Sequence, residues 1–469
     1  MPENIEKALG WLENNQAKLV NDLDRLVGIK SISTDGEHQQ ELDHSASAVC
    51  ELMKEAGLND VRILKSGDSN PFAYGEWLGA PGQPTLFLYS HHDVQPVNYE
   101  SHWLSDPWRL VSRDGRLFAR GSADDKGAAV AHIASIAAWL KTSEKLPVNV
   151  KVLVEGEEEI GSRNLMKFFN ENRARVQADA VVVCDTENIQ VGKPSITYSL
   201  RGVVTLLVQV KSAKIPAHSG MAGGALADSA IALSAILSRL YWDNQKLPIQ
   251  GFYNSVRPLG TEEKKTYQTL GGGENELREI LGVPKNVRSA CWNGLNYYEQ
   301  TWRQPAITVI ALEASSIKGA SNQVLPTASA LVSCRIVPDQ NPREVEKALI
   351  EYLKASPPWG VEVSVEPHGN SVDWWMTDPQ GPAFEAAIAS LRKGFNTEPV
   401  GIGCGGTIGF VRPLVELLGG VPALLFGIED PHSNAHAPNE SLHQGDWFRL
   451  MKSLIYFYSE AAGKVSVKV

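Results

Sequence analysis

KGAAVAHIASIAAWLK (126–141), VNVKVLVE (148–155), NLMKFFNENRARV (164–176) and DAVVVC (179–184) follow one another with only short polar links between them. The first and third have helical spacing, whereas the second and fourth are short valine-rich runs, so the order is helix, strand, helix, strand. TLFLYS (85–90) supplies another strand upstream, and residues 2–28 and 42–57 again have helical spacing. Such alternation builds a mostly parallel sheet with helices on its faces.

After Arg201-Gly202 the character changes. VVTLLVQVKS is an alternating strand, ALADSAIALSAILSRLYW (225–242) a helix, and a polar stretch around Gly271-Gly272-Gly273 follows. AITVIALEA (306–314), ASALVSCRIVPD (328–339), the helix REVEKALIEYLKAS (343–356) and VEVSVEP (361–367) then predict an antiparallel sheet with helices on one face. From about Asp378 the first character returns, with a helix AFEAAIASLRKGF, a buried strand PALLFG (422–427) and a closing helix DWFRLMKSLIYFYSEAAG. The expected fold class is α/β: a discontinuous domain of residues 1–200 and 375–469, interrupted by an inserted α+β domain of residues 201–374.

The 469 residues carry a net charge of −10, which disfavours nucleic acid or an anionic membrane as partner, since both reward a basic face. With 43% hydrophobic and 21% charged residues, the chain can bury a sizeable core. Its opening MPENIEKALGWLENNQAKLV lacks the basic start and unbroken apolar run of a signal peptide, and no window approaches the roughly 20 apolar residues of a membrane span. A cytoplasmic protein is expected. Five scattered cysteines without a CxxC pair fit reduced thiols rather than disulfides or a cysteine-bound zinc.

Acids and histidines gather where apolar runs end, which is where open α/β sheets place ligands. TLFLYS runs into His91-His92-Asp93, and Asp93 can accept the second ring N–H of His91. Asp124-Asp125 precedes the Ala-rich helix, VKVLVE leads to Glu157-Glu158-Glu159, DAVVVC ends in Asp185, and PALLFG is followed by His432 and His436. Each has a plainer alternative: a surface turn, an N-cap, a solvated acidic loop, a bystander histidine. Together, two histidines and three carboxylates, one shared, suit two borderline divalent ions ~3.5–4 Å apart. Three carboxylates and a bridging hydroxide would neutralise two such ions, so burial is affordable.

The segments SHHDVQPV, GRLFARGSADDKG, VLVEGEEEIGS, VVVCDTE and NAHAPNE resemble, in order, the five metal-site motifs of the two-metal aminoacylase, carboxypeptidase and dipeptidase superfamily. The resemblance covers essentially the whole chain. HxDVQPV, RGxxDDKG, EGxEExGS and ITYSLRG (196–202) look most like the carnosine-type and Cys-Gly dipeptidase branch. It implies that His91 and Asp185 hold one ion, Glu159 and His436 the other, and Asp124 bridges them, with zinc, or else manganese or cobalt, as the metal. Glu158 would be the general base acting on a metal-bridging water, and Asp93 would orient His91.

By the same resemblance the inserted domain is a lid carrying a homodimer interface, and His218 in AHSGMAGG reaches across the dimer to stabilise the oxyanion. Arg335 in SCRIVPD fixes a substrate carboxylate, a role suited to its bidentate fork. Asn322, Gln323 and His368 fall where the dipeptidases place further substrate contacts. One departure stands out: Gly403-Cys404-Gly405-Gly406-Thr407 replaces an Arg-Glu-Gly-Gly-Ser loop, although Gly406 and Thr407 can still offer N–H groups and a hydroxyl.

The expected activity is hydrolysis of the amide bond of a dipeptide or short peptide with a free C-terminal carboxylate. The alternative keeps the mechanism but takes an N-acyl amino acid or the C-terminal bond of a peptide. A non-catalytic binding protein is disfavoured by suitable residues at Glu158 and all five ligand positions. A hydrolase built on Cys404 is disfavoured because nothing marks that thiol as activated.

Overall fold

The computed structural model describes residues 2–241, 246–271 and 273–467. Its largest sheet has nine strands. Across it lie Asn59–Leu64, Phe72–Trp77, Asn149–Glu155, Thr85–His91, Ala180–Glu187, Ala423–Glu429, Ser195–Leu200 and Trp375–Met376, with Val400–Cys404 also paired to Ser195–Leu200. The four from Asn149–Glu155 to Ala423–Glu429 are mutually parallel, so His91, Glu155, Glu187 and Glu429 all lie at one carboxyl edge.

These strands are apolar along their length because both faces are covered. Leu86 and Leu88 join one core with the helices Gln16–Val27, Gln39–Ala56, Lys126–Ser143, Pro382–Phe395 and Gln444–Ala461. Phe87 and Tyr89, pointing the other way, pack with Leu165, Phe168 and Leu414. Lys126–Ser143 is buried from Lys126 to Trp139, which explains why it is alanine-rich rather than amphipathic.

A second, four-stranded antiparallel sheet runs Ala306–Glu313, Thr327–Ile336, Gly202–Lys211, Glu362–Pro367. Val204, Leu206, Val208 and Val210 face the helices Ser229–Ser238 and Pro342–Lys354, as the alternating pattern predicts. The chain passes between the two sheets at Gly202, where a Cβ would sit 2.4 Å from the Val372 carbonyl oxygen; only glycine admits that approach. The expected fold class is therefore borne out.

Several elements differ in detail. The helix expected over 225–242 spans Ser229–Ser238, because Asp228 caps it by accepting the Ala230 and Ile231 N–H groups at 2.9 and 3.1 Å. Trp242 and Gly272 lie outside the described residues. Around the polar glycine stretch three short helices form, Thr261–Thr269, Glu274–Ile280 and Tyr297–Arg303. Tyr267, Tyr298 and Trp302 pack the first and third of these against Ile189 and Ile402 beside the large sheet.

Candidate metal centre

The motifs converge at the carboxyl edge of the parallel strands. His91 closes its strand fully buried, with Nδ1 3.0 Å from the Asp93 carbonyl and 3.4 Å from its carboxylate, and Nε2 2.9 Å from Asp124 Oδ1. Asp93 also accepts the Ser33 hydroxyl at 2.6 Å and the backbone N–H groups of Glu158 and Glu159 at 3.2 and 3.1 Å. One buried carboxylate thus orients the histidine and pins the Glu158–Ile160 turn. Burial opposes its charge, but these donors, His91 first, hold its pKa below the usual range.

Asp124 lies between two imidazoles. Its Oδ1 faces His91, and its Oδ2 is 2.8 Å from His436 Nε2, which is itself 3.2 Å from Glu159 Oε2. Gln95 Nε2 donates to Glu159 Oε2 at 2.8 Å. The Asp124 backbone is held as well: its N–H and that of Ala123 donate to Glu440 Oε1 at 3.2 and 3.1 Å, while Arg120 Nη1 donates to Glu440 Oε2. Donor atoms of Asp124, Glu159 and His436 lie within 4.8 Å of one another, as do those of His91, Asp125 and Asp185.

Asp125, to which the family resemblance assigns no metal role, joins His91 and Asp185 in the second of these groups. Its Oδ2 accepts the His91 backbone N–H at 3.2 Å, and its buried Oδ1 has no partner.

The titration behaviour tests whether such a site suits cations. Hydrogen bonds to Asp124 and Glu159 push His436 up to about 11, and Asp124 and Asp93 raise His91 despite its burial. Burial and neighbouring carboxylates raise Asp185 to about 7, and burial raises Glu158 well above the ordinary glutamate range. A cluster in which carboxylates outnumber the imidazoles they face is short of positive charge, and its nitrogen and oxygen donors fit divalent ions.

Asp124, Glu158, Asp185 and His436 open onto a cleft of about 480 Å³, which Arg335, Gly406 and Thr407 also line. Arg335 Nη1 donates to Thr407 Oγ1 at 2.6 Å, and that hydroxyl donates to the Arg201 carbonyl at 2.6 Å. Arg201, not singled out as a site residue from the sequence, also lines the cleft and donates from Nε to the Gly405 carbonyl at 2.9 Å. Burial pushes the Cys404 thiol up to about 12, so it stays protonated at neutral pH. His218, Asn322, Gln323 and His368 do not border this cleft: His218 pairs with Gln323 in a two-stranded ribbon, and His218, Asn322 and His368 are exposed.

Arg120 and Glu440 lie in two different motifs, and the ion pair that makes them part of the site joins residues 320 apart in the chain, which no local pattern signals. A cleft at a parallel sheet's carboxyl edge, with metal-type donor groups around a shared carboxylate, defines a metal-dependent hydrolytic enzyme. Comparison with known proteins refines the class. The model of Peptidase family M20/M25/M40 matches residues 87–460, and the chain belongs to that family.

A Cysteinylglycine-S-conjugate dipeptidase from Corynebacterium striatum is 30% identical over 438 residues, covering 92% of each chain. The structure of human carnosine dipeptidase 1 matches with a TM-score of 0.86 at 27% identity, over 98% of this chain and 99% of that one. An M20 family metallo-carboxypeptidase from Sulfolobus solfataricus, Sso-CP2, matches with a TM-score of 0.79 at 28% identity, over 95% of this chain and 99% of that one. The family resemblance of the five motifs is borne out, and a metallopeptidase of this family works with divalent metal ions. Among the described residues no helix is long and apolar enough to cross a membrane.

Proposed function

We propose that this enzyme is a two-metal dipeptidase that cleaves the amide bond preceding a free C-terminal carboxylate. The observation that carries it is the Asp124 carboxylate, with one oxygen on His91 and the other on His436, beside Glu158 and in one cleft with Arg335. His91 and Asp185 would hold one ion, Glu159 and His436 the other, with Asp124 shared; zinc suits the donors best, and manganese or cobalt also fits. When bound, the ions supply Lewis acidity at the scissile carbonyl.

Glu158 takes a proton from the attacking water and returns it to the leaving amine, a role matched by the upward pull of burial on its carboxyl. Asp93 keeps His91 oriented. Arg335, whose partner in the structure is the neutral Thr407 hydroxyl, receives the substrate carboxylate, with Gly406 and Thr407 beside it. His218 acts from the lid of a second copy in a homodimer, which agrees with its place away from its own cleft, and Asn322, Gln323 and His368 are further substrate contacts. Residues 1–200 and 375–469 form the catalytic domain and 201–374 the lid, as the membership of the two sheets supports. Five free cysteines agree with a cytoplasmic location.

Glu158→Ala should abolish amine release from dipeptides while metal content stays at two ions per chain, whereas His91→Ala should lose metal. Retained turnover in Glu158→Ala would refute the base assignment. Deacylase or carboxypeptidase action is the second reading, favoured by the uncharged loop Gly403–Thr407; equal turnover of N-acetylated and free dipeptides would select it.

A further inference from the structure

The cleft contains two carboxylates to which the mechanism gives no task. Glu187 and Glu429 end adjacent parallel strands and are paired in register across the ladder, where neighbouring strands run about 4.8 Å apart. Both line the cleft. Other carboxylates around this edge have partners: Glu155 accepts from Tyr89 on one oxygen, its buried Oε1 having none, while Glu157 is met by Asn164, Asp430 by Arg116 and Glu440 by Arg120. Among the described residues neither Glu187 nor Glu429 has a hydrogen bond or ion pair through its carboxylate. Between Asp185 and Glu187, Thr186 also borders the cleft; it is only 3% exposed, and its hydroxyl has no partner.

The same cleft holds unmatched positive charge. Arg335 and Arg201 meet only neutral acceptors, the Thr407 hydroxyl and the carbonyls of Gly405 and Gln304. Unpaired guanidiniums and unpaired carboxylates in one cavity call for a ligand carrying both charges. Position narrows the choice. Glu187 lies two residues, about 6.6 Å along the strand, from Asp185 in the metal group, and an α-ammonium sits one carbon from the scissile carbonyl. The loop Gly403–Thr407 offers no charged side chain to compete for that group.

We propose that Glu187 and Glu429 form the subsite for the free α-ammonium of the substrate's first residue, so that the enzyme selects peptides with an unblocked N-terminus. This rests on the peptidase reading above and narrows it. The test measures kcat/KM of the metal-loaded enzyme on alanyl-alanine, N-acetyl-alanyl-alanine and N-acetyl-lysyl-alanine, for wild type, Glu187→Gln and Glu429→Gln, with metal content checked in each. The free dipeptide should be favoured over its acetylated form by about 100-fold or more, as for a site built around a polar group that the analogue lacks. Each Gln variant should cut that ratio about tenfold, mainly through KM.

Glu187→Asp and Glu429→Asp, which keep the charge, should retain most of the preference; they also serve if a Gln variant folds poorly. A preference unchanged in the Gln variants overturns the subsite and leaves the dipeptidase reading standing, whereas no preference in wild type overturns the subsite and selects the deacylase or carboxypeptidase reading. Selective cleavage of N-acetyl-lysyl-alanine, lost in the Gln variants, moves the pair to a side-chain ammonium and overturns the α-amino assignment. Failure to cleave any of the three overturns the peptidase reading and the subsite with it.

Discussion

Removing Glu440 should loosen the metal centre without touching a ligand. Its carboxylate is fully buried, accepts the N–H groups of Ala123 and Asp124 on one oxygen, and pairs with Arg120, itself 1% exposed, on the other. Glu440→Ala leaves a buried guanidinium without its counter-ion, a loss of about 3–5 kcal/mol. Glu440→Gln keeps the shape but removes the charge, and the difference between charged and neutral hydrogen bonds makes about 2 kcal/mol reasonable. Because the same carboxylate fixes the Asp124 backbone, metal affinity should fall 10- to 100-fold, the usual effect of losing a group that orients a ligand. Urea unfolding of metal-free protein reads the first effect, and chelator competition with zinc reads the second. Replacing Arg120 and Glu440 together by methionine should recover part of the stability, since no unpaired charge remains. A Glu440→Gln protein with wild-type urea midpoint and wild-type zinc affinity would refute this account.

Three other outcomes follow from the packing and the charges. His132 is fully buried, with burial pushing it down to about 4 from 6.5, and its Nε2–H donates to the Tyr89 carbonyl. The unfolded chain therefore binds the extra proton first, so this group lowers stability as pH falls from 6.5 to about 4, by up to about 3 kcal/mol; His132→Gln should flatten that slope in urea midpoints of the metal-free protein, and an unchanged slope counts against it. Gly394→Ala, which in an open helix gains about 1 kcal/mol, should instead cost about 1–3 kcal/mol, because its Cβ would meet Ser453 Oγ at 2.1 Å and the Arg449 carbonyl at 2.7 Å; a raised melting temperature would contradict the close helix crossing. Stripping metal should abolish activity and lower the melting temperature, and zinc at about 1,000 times its Kd should restore about 4 kcal/mol; a melting temperature indifferent to zinc would exclude the two donor groups as a metal site.

The parallel strands were legible in the sequence because burial on both faces removes polar residues and leaves runs such as VVVC, and their ends were legible because each run stops at an acid or a histidine. The strand Asn59–Leu64 has no fully buried residue and carries no such run, so the antiparallel edge of the sheet was not foreseen. The short helices Thr261–Thr269 and Tyr297–Arg303 escape the sequence reading for a related reason: their order comes from Tyr267, Tyr298 and Trp302 meeting Ile189 and Ile402, not from a periodic pattern within them.

The site divides along the same line. His91, Asp93, Asp124, Glu158, Glu159, Asp185 and His436 carry their chemistry in local motifs. Glu187 and Glu429 do not, for an acid two residues past a strand-end ligand gains meaning only when its neighbour across the ladder is known. That neighbour comes from a strand more than 200 residues later, which inserts between Ala180–Glu187 and Ser195–Leu200. The returning segment therefore completes the sheet, brings His436 to Asp124 and sets a second carboxylate beside Glu187. If Glu187 and Glu429 bind the substrate amine, the strand order that assembles the metal centre also sets which end of a peptide the cleft accepts.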